Sequence, residues 1–128
     1  MFRWDEAHFG KFGGHYLQRS YYIDLHPPLA KMLVGLGMYL AKFDNSFLFE
    51  SAKTYPDNVD YVTMRRFTSA LGAIAVPVLF AAAHNLGLSK WASLIVASFA
   101  LFDNGLVGIT RPILLDSTLL LFTATTLY

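Results

Sequence analysis

Residues 67–89 read FTSALGAIAVPVLFAAAHNLGLS, a run of 23 positions without a formal charge. At about 1.5 Å per helical residue the run reaches across the roughly 30 Å of a bilayer's hydrocarbon, so it is a candidate transmembrane helix. Pro77 lies inside it. Proline costs about 3 kcal/mol in a water-exposed helix, whereas in lipid the neighbouring helices and local adjustment accommodate it. Gly87-Leu88-Ser89-Lys90 closes the run as a tight helix-to-helix turn, with Gly87 as C-cap and Ser89 as the N-cap of the next helix.

Towards the C-terminus, residues 67–128 carry only Lys90, Asp103, Arg111 and Asp116 as charges. The pattern predicts three spans over about 64–86, 90–109 and 111–128, the last opening at Arg111-Pro112, where proline suits a first helical turn. Asp103-Asn104 reads as the polar end of the second span. The whole chain of 128 residues is 55% hydrophobic and 15% charged, where a soluble domain carries about 25% charge. That composition excludes disorder and favours membrane residence over a soluble domain. A net charge of +1 with no aromatic-interleaved basic patch excludes nucleic acid as a partner, and the absence of cysteine excludes disulfides, thiolate metal sites and thiol nucleophiles.

Towards the N-terminus, residues 1–66 hold 8 basic and 7 acidic residues. This half reads as a loop lying on a membrane surface. Pro27-Pro28 opens an apolar segment over 29–42 in which Leu29, Leu33, Leu36 and Leu40 fall at helical spacing with Met32 beside them. The segment is too short to span but long enough to lie in the interface, with Tyr39 and the stems of Lys31 and Lys42 at headgroup depth; a buried helix of a soluble domain is the alternative. Residues 43–60, with Asp44-Asn45-Ser46 and Tyr55-Pro56-Asp57-Asn58, have turn chemistry and read as an exposed connection. The start, Met1-Phe2-Arg3-Trp4, lacks the features of a signal peptide, and the expectation is an internal piece of a larger membrane protein.

Chemistry is concentrated at few positions. Asp5-Glu6 are adjacent carboxylates among Phe2, Trp4 and Phe9, a setting that raises a carboxylate pKa towards that of a general base; equally, they fit the first turn of a helix. His26, after Asp24 and before Pro27-Pro28, is a titratable ring at a rigid turn or simply a residue in extended backbone. Arg65-Arg66 stand where the apolar run begins, as membrane anchors or as a bidentate fork for a phosphate. Arg111 and Asp116 are ionisable groups at or inside apolar segments, which face a cavity or each other. His8 and His15 lack a further ligand at metal spacing and no D-x-D pattern occurs, so no metal and no cofactor is expected.

Taken in order, Trp4-Asp5-Glu6-Ala7-His8-Phe9-Gly10-Lys11-Phe12-Gly13, then Asp24-Leu25-His26-Pro27-Pro28-Leu29-Ala30-Lys31-Met32, then Met64-Arg65, then Arg111 to Ser117 around Ile113-Leu114-Leu115-Asp116-Ser117, resemble the protein O-mannosyltransferases. The likeness covers essentially all of the chain, and the first block resembles fungal members. It implies an all-α, polytopic membrane protein of the glycosyltransferase C-type fold, with residues 1–63 as the first lumenal loop, residues 64–128 as membrane helices and the turn at 87–90 cytosolic. It implies residence in the endoplasmic reticulum membrane and transfer of mannose from dolichyl phosphate mannose to serine or threonine hydroxyls of acceptor proteins, by an inverting single displacement. By the same resemblance Asp5 is the general base, and Glu6 orients it or shares its proton. Arg65 steadies the dolichyl phosphate as it leaves, Asp24, His26 and Lys31 shape the site beside that phosphate, and Arg111 and Asp116 stand near the next lumenal helix end. Family members lead one to expect a homo- or heterodimer. The rival readings are a non-catalytic membrane subunit and a lipid-binding or transporter fragment, and a chain of this length is expected to be inactive alone.

Overall fold

The computed structural model describes residues 4–50 and 53–128, and for Trp4 and Asp5 the backbone alone. Among the described residues the regular structure is helical: α1 (Trp4–Gln18), α2 (Pro28–Leu40), α3 (Tyr61–Asn85), α4 (Lys90–Phe102), α5 (Asn104–Thr110) and α6 (Asp116–Leu127). Helix α3 is the axis of the molecule, packing against α2, α4, α5 and α6, while α1 packs on α2.

Local chemistry explains the ends of these helices. The Asp60 carboxylate accepts from Thr63 N–H at 3.0 Å and caps α3 at its start. At its end Gly87, at φ +91°, lets the chain reverse, so that Leu88 N–H reaches the carbonyl of Ala83 and Gly87 N–H that of His84. Ser89 Oγ then accepts from Ala92 N–H and starts α4, as its position in the sequence predicts. Between these caps α3 runs unbroken through Pro77. It has a mean hydropathy of 1.7 over its apolar window, of which 28% is buried.

The other two expected spans are different from the sequence reading. The stretch over 90–109 is split at Asp103 into α4 and α5, which meet at 58°. The cause is Asp103 itself: its backbone is extended, and its carboxylate accepts from Leu106 N–H at 2.7 Å, which starts a new helix in place of continuing the old one. The third helix begins at Asp116 and not at Arg111. Residues 111–115 are held out of helical pairing by partners elsewhere in the chain, because the Pro112 carbonyl accepts from Thr68 Oγ1 and the Ile113 N–H donates to Glu6. Among the described residues α3 alone is long and apolar enough to cross a bilayer, with the bent α4–α5 pair as a second if taken as one broken span.

In the first half α1 and α2 cross closely: a Cβ on Gly35 would stand 3.4 Å from the Gly13 carbonyl, and one on Gly13 would collide with Met38 Sδ at 2.6 Å. Val34 and Met38 therefore turn inward, and Leu29, Met32, Leu36, Tyr39 and Leu40 are left exposed. The apolar stripe of the sequence is the outer face of α2. Lys31 departs from its expected place at headgroup depth and lies buried on the inner side. The 43–60 connection is also less exposed than its turn residues suggest. Phe49 and Val59 are buried, and Phe43, Phe47 and Tyr55 pack on the core of Ala7, Val34, Met38, Met64 and Ile113. Turn chemistry still operates outside, where Asp44 Oδ1 accepts from Ser46 N–H. The core thus joins α1, α2, the connection, α3 and the 111–115 segment.

Candidate functional site

The first turn of α1 delivers Glu6 to the start of α3. Its carboxylate is fully buried and meets the Arg65 guanidinium in a fork, Arg65 Nε donating to Oε1 at 2.8 Å and Nη2 to Oε2 at 2.6 Å. Oε1 also accepts from Ile113 N–H at 3.0 Å. A carboxylate without water is tolerated only when its lone pairs are met in this way, and removal of one partner of such a pair costs about 3–5 kcal/mol. Arg65 also lies against two aromatic rings, with its guanidinium carbon 5.2 Å from the centre of the Tyr61 ring and 5.8 Å from that of Tyr55. The two rings stack on each other at 4.6 Å. Burial pushes the Tyr55 phenol far above its ordinary value, with the Glu6 charge adding to the effect, so it stays neutral.

Both oxygens of Glu6 accept from Arg65, so Glu6 fixes the orientation of the guanidinium. Asp5 precedes it in the first turn of α1, and its side chain lies outside the described residues.

Arg65 opens onto a groove of about 700 Å³ lined by Tyr61, Arg65, Arg66, Ser69 and Ala73 of α3, Gly108 of α5, and Arg111 and Pro112 beyond it. Arg65, Arg66 and Arg111 all line it, and among the described residues no acidic side chain does. Side chains with fixed positive charge and planar donor forks, on a floor of small apolar residues, suit a phosphate with an apolar substituent. The structure therefore brings together Arg65 and Arg111, which stand 46 positions apart in the sequence. Asp116 is not part of that wall. It sits half-buried in the first turn of α6, where a carboxylate is stabilised by the positive end of the helix dipole, and among the described residues it makes no ion pair with Arg111.

Asp24, His26 and Lys31 form a second cluster, and none of them lines the groove. Lys31 Nζ donates to Asp24 Oδ2 and to the His26 carbonyl, each at 2.8 Å, and lies 5.3 and 5.2 Å from the centres of the Phe12 and Tyr22 rings. The half-exposed His26 ring approaches the same carboxylate through Nδ1 at 3.1 Å. The Lys31 hydrogen bond, aided by His26 and two backbone amides, holds the Asp24 carboxyl well below the usual carboxylate range against the opposing effect of burial.

Some residues in and around the groove escape sequence reading. Tyr61 is four residues before Arg65, on the same helical face, and its ring is legible as a neighbour. Tyr55, Thr68 and the amide of Ile113 carry no local signal, because their roles depend on long-range closure.

Residues 2–128 match the family model described as dolichyl-phosphate-mannose-protein mannosyltransferase. The chain is 47% identical over 125 residues to dolichyl-phosphate-mannose--protein mannosyltransferase 6 of Candida albicans, which covers 98% of this chain and 15% of that protein. It is 43% identical over 123 residues to the Saccharomyces cerevisiae protein of the same name, covering 96% of this chain and 16% of the relative. It is 42% identical over 119 residues to protein O-mannosyl-transferase 2 of Drosophila melanogaster, covering 93% and 16% respectively. The chain thus spans about one sixth of the length of these curated relatives.

Proposed function

The chain belongs to the dolichyl-phosphate-mannose-protein mannosyltransferase family, and from that premise we propose that it carries the acidic pair and the donor-phosphate wall of a protein O-mannosyltransferase. The reaction moves mannose from dolichyl phosphate mannose to a serine or threonine hydroxyl of a protein. The acceptor oxygen attacks the anomeric carbon and gives its proton to the Asp5 carboxylate. The bond from that carbon to the phosphate oxygen breaks with inversion, and dolichyl phosphate leaves with the bonding electrons. No metal is needed for this step, because the leaving group is already a phosphate and its growing charge falls among Arg65, Arg66 and Arg111.

The observation that carries this reading is the groove lined by Arg65, Arg66 and Arg111, one arginine of which is held in place by a buried carboxylate next in sequence to the proposed base. Because Arg65 is already fixed, its field at the phosphate needs no reorganisation as charge develops, which favours the transition state over the ground state. The outward apolar stripe of α2 supports a seat in the membrane interface, and the sparse burial of α3 supports a bilayer around it. The protein is then a multi-pass resident of the endoplasmic reticulum membrane with the groove on the lumenal side, working as a homo- or heterodimer. Asp24 and Lys31 act at one remove, stapling the α1–α2 unit that delivers the acidic pair.

The test is mannosyl transfer from dolichyl phosphate mannose to a threonine-rich peptide, in membranes carrying the longest reading frame that contains this chain. Asp5→Asn should lower turnover about 10²–10⁴-fold, the range for loss of a general base. Undiminished transfer by Asp5→Asn, once endogenous activity is excluded, would reject Asp5 as the base.

A further inference from the structure

The arginines of the groove come from different elements: Arg65 and Arg66 from α3, and Arg111 from the residues between α5 and α6. One peptide group sets how these two walls stand. The carbonyl of Pro112 accepts from Thr68 Oγ1 at 3.1 Å, and the amide of that same peptide, Ile113 N–H, donates to Glu6 Oε1 at 3.0 Å. Thr68 is 2% exposed, Ile113 1% and Glu6 0%, so water is no substitute for either bond.

The Thr68 oxygen also lies 3.0 Å from the carbonyl oxygen of Arg65, the residue whose guanidinium meets Glu6. Arg65, Glu6, the 112–113 peptide and Thr68 therefore close a ring of hydrogen bonds that joins the two walls of the groove. Among the other hydroxyls, that of buried Ser117 bridges the same turn by donating to the Thr110 carbonyl at 3.2 Å, while others stay local. Those of Ser93, Ser98 and Thr125 return to carbonyls of their own turn, four residues back. Thr68 instead shares its single proton with an acceptor 44 residues away.

Local preference does not build this turn. A residue before proline prefers extended backbone, yet Arg111 is helical at φ −77°, ψ −40°. The turn has one bond of its own, Leu114 N–H to the Pro112 carbonyl at 2.9 Å, and the bonds from α1 and α3 join it at the peptide following Pro112.

We propose that Thr68 is a positioning residue whose hydroxyl fixes the Pro112–Ile113 peptide and so sets Arg111 in place opposite Arg65. This rests on the donor-phosphate reading of the groove. The test is steady-state mannosyl transfer with dolichyl phosphate mannose and the acceptor peptide varied separately, in membranes carrying the longest reading frame. Thr68→Val has nearly the same shape without the donor. It should raise KM for the donor about tenfold and leave KM for the peptide unchanged, the size expected for one hydrogen bond to a group that positions a charge. Thr68→Ser, which keeps the hydroxyl, should restore the donor KM. Because Thr68 acts through Arg111, adding Thr68→Val to Arg111→Gln should bring no further rise.

A donor KM within twofold of the parent for Thr68→Val, while Arg111→Gln raises it, would overturn the positioning role and leave the groove reading standing. So would a full tenfold rise on top of Arg111→Gln. If Arg111→Gln itself leaves donor KM unchanged, the groove reading falls and the role of Thr68 with it. Should Thr68→Val fail to accumulate, Thr68→Cys, a weak donor of similar size, should give a smaller rise in the same direction; a donor KM unchanged in Thr68→Cys would overturn the role.

Discussion

Two cations in this small helical protein are each set on a carboxylate, and their surroundings differ in a way that separates chemistry from scaffolding. Lys31 is sealed: its side chain is 4% exposed, and its ammonium is shared among Asp24, the His26 carbonyl and two aromatic rings. Arg65 is anchored but open: its side chain is 28% exposed and faces a groove it shares with Arg66 and Arg111. A cation buried against partners within the fold holds elements together. One whose carboxylate fixes one edge of a planar fork keeps charge and donors available to a ligand.

The largest effect that sharpens this contrast is expected at Arg65. Arg65→Lys retains a positive charge but loses the fork, so Glu6 keeps a counter-ion while the directed field at the phosphate is lost. Turnover should fall about 10–100-fold, with a smaller change in donor KM, in the peptide transfer assay. A rise in donor KM with turnover intact would mean that Arg65 binds the ground state and the transition state alike.

A different outcome is expected at Lys31. Lys31→Met should lower the thermal midpoint of the detergent-extracted protein, because the Asp24 carboxylate loses its principal partner. Kinetic constants per folded molecule should stay close to those of the parent. A donor KM raised as much as by a change in the groove would erase the distinction between the two clusters.

The smallest effect lies in pH. Since Asp24 titrates below its ordinary value when folded, its contribution to stability is complete above about pH 5. The contribution is lost progressively as pH falls through the ordinary carboxylate range towards the folded value. The gap in thermal midpoint between the parent and Lys31→Met should therefore be widest near neutrality and close between about pH 5 and pH 2. A gap that does not change over that range would show that packing of the lysine stem, and not its charge, makes the difference.

Much of this is legible in the residues. The charge-free run, Gly87 and Ser89 define α3, its end and the start of α4, because caps and hydrophobic length are local properties. The acidic pair at the head of α1 and the outward stripe of α2 are equally readable. Boundaries set by tertiary bonds are not. Residues 111–115 have a helical pattern with a well-placed proline, but their amide and carbonyl are taken by Glu6 and Thr68, which lie 107 and 44 positions away. The inward turn of Lys31 is hidden for a related reason. It follows from the close α1–α2 crossing at Gly13 and Gly35, and glycine marks no face in a hydrophobic pattern. The break at Asp103 is in plain view as an Asx cap: it ends α4, as a polar end should, and also starts α5, which hydrophobic length does not reveal.

The most direct test compares donor KM for Arg111→Gln and Lys31→Met in the same membranes. Arg111 is exposed and its side chain is outside the buried ring of bonds, so its replacement reports on the ligand and not on folding. A phosphate seated against the arginine wall predicts a donor KM raised about tenfold for Arg111→Gln, unchanged peptide KM, and a donor KM near that of the parent for Lys31→Met. An unchanged donor KM in Arg111→Gln, or an equal rise in both variants, would contradict the assignment of the groove to the lipid-linked phosphate.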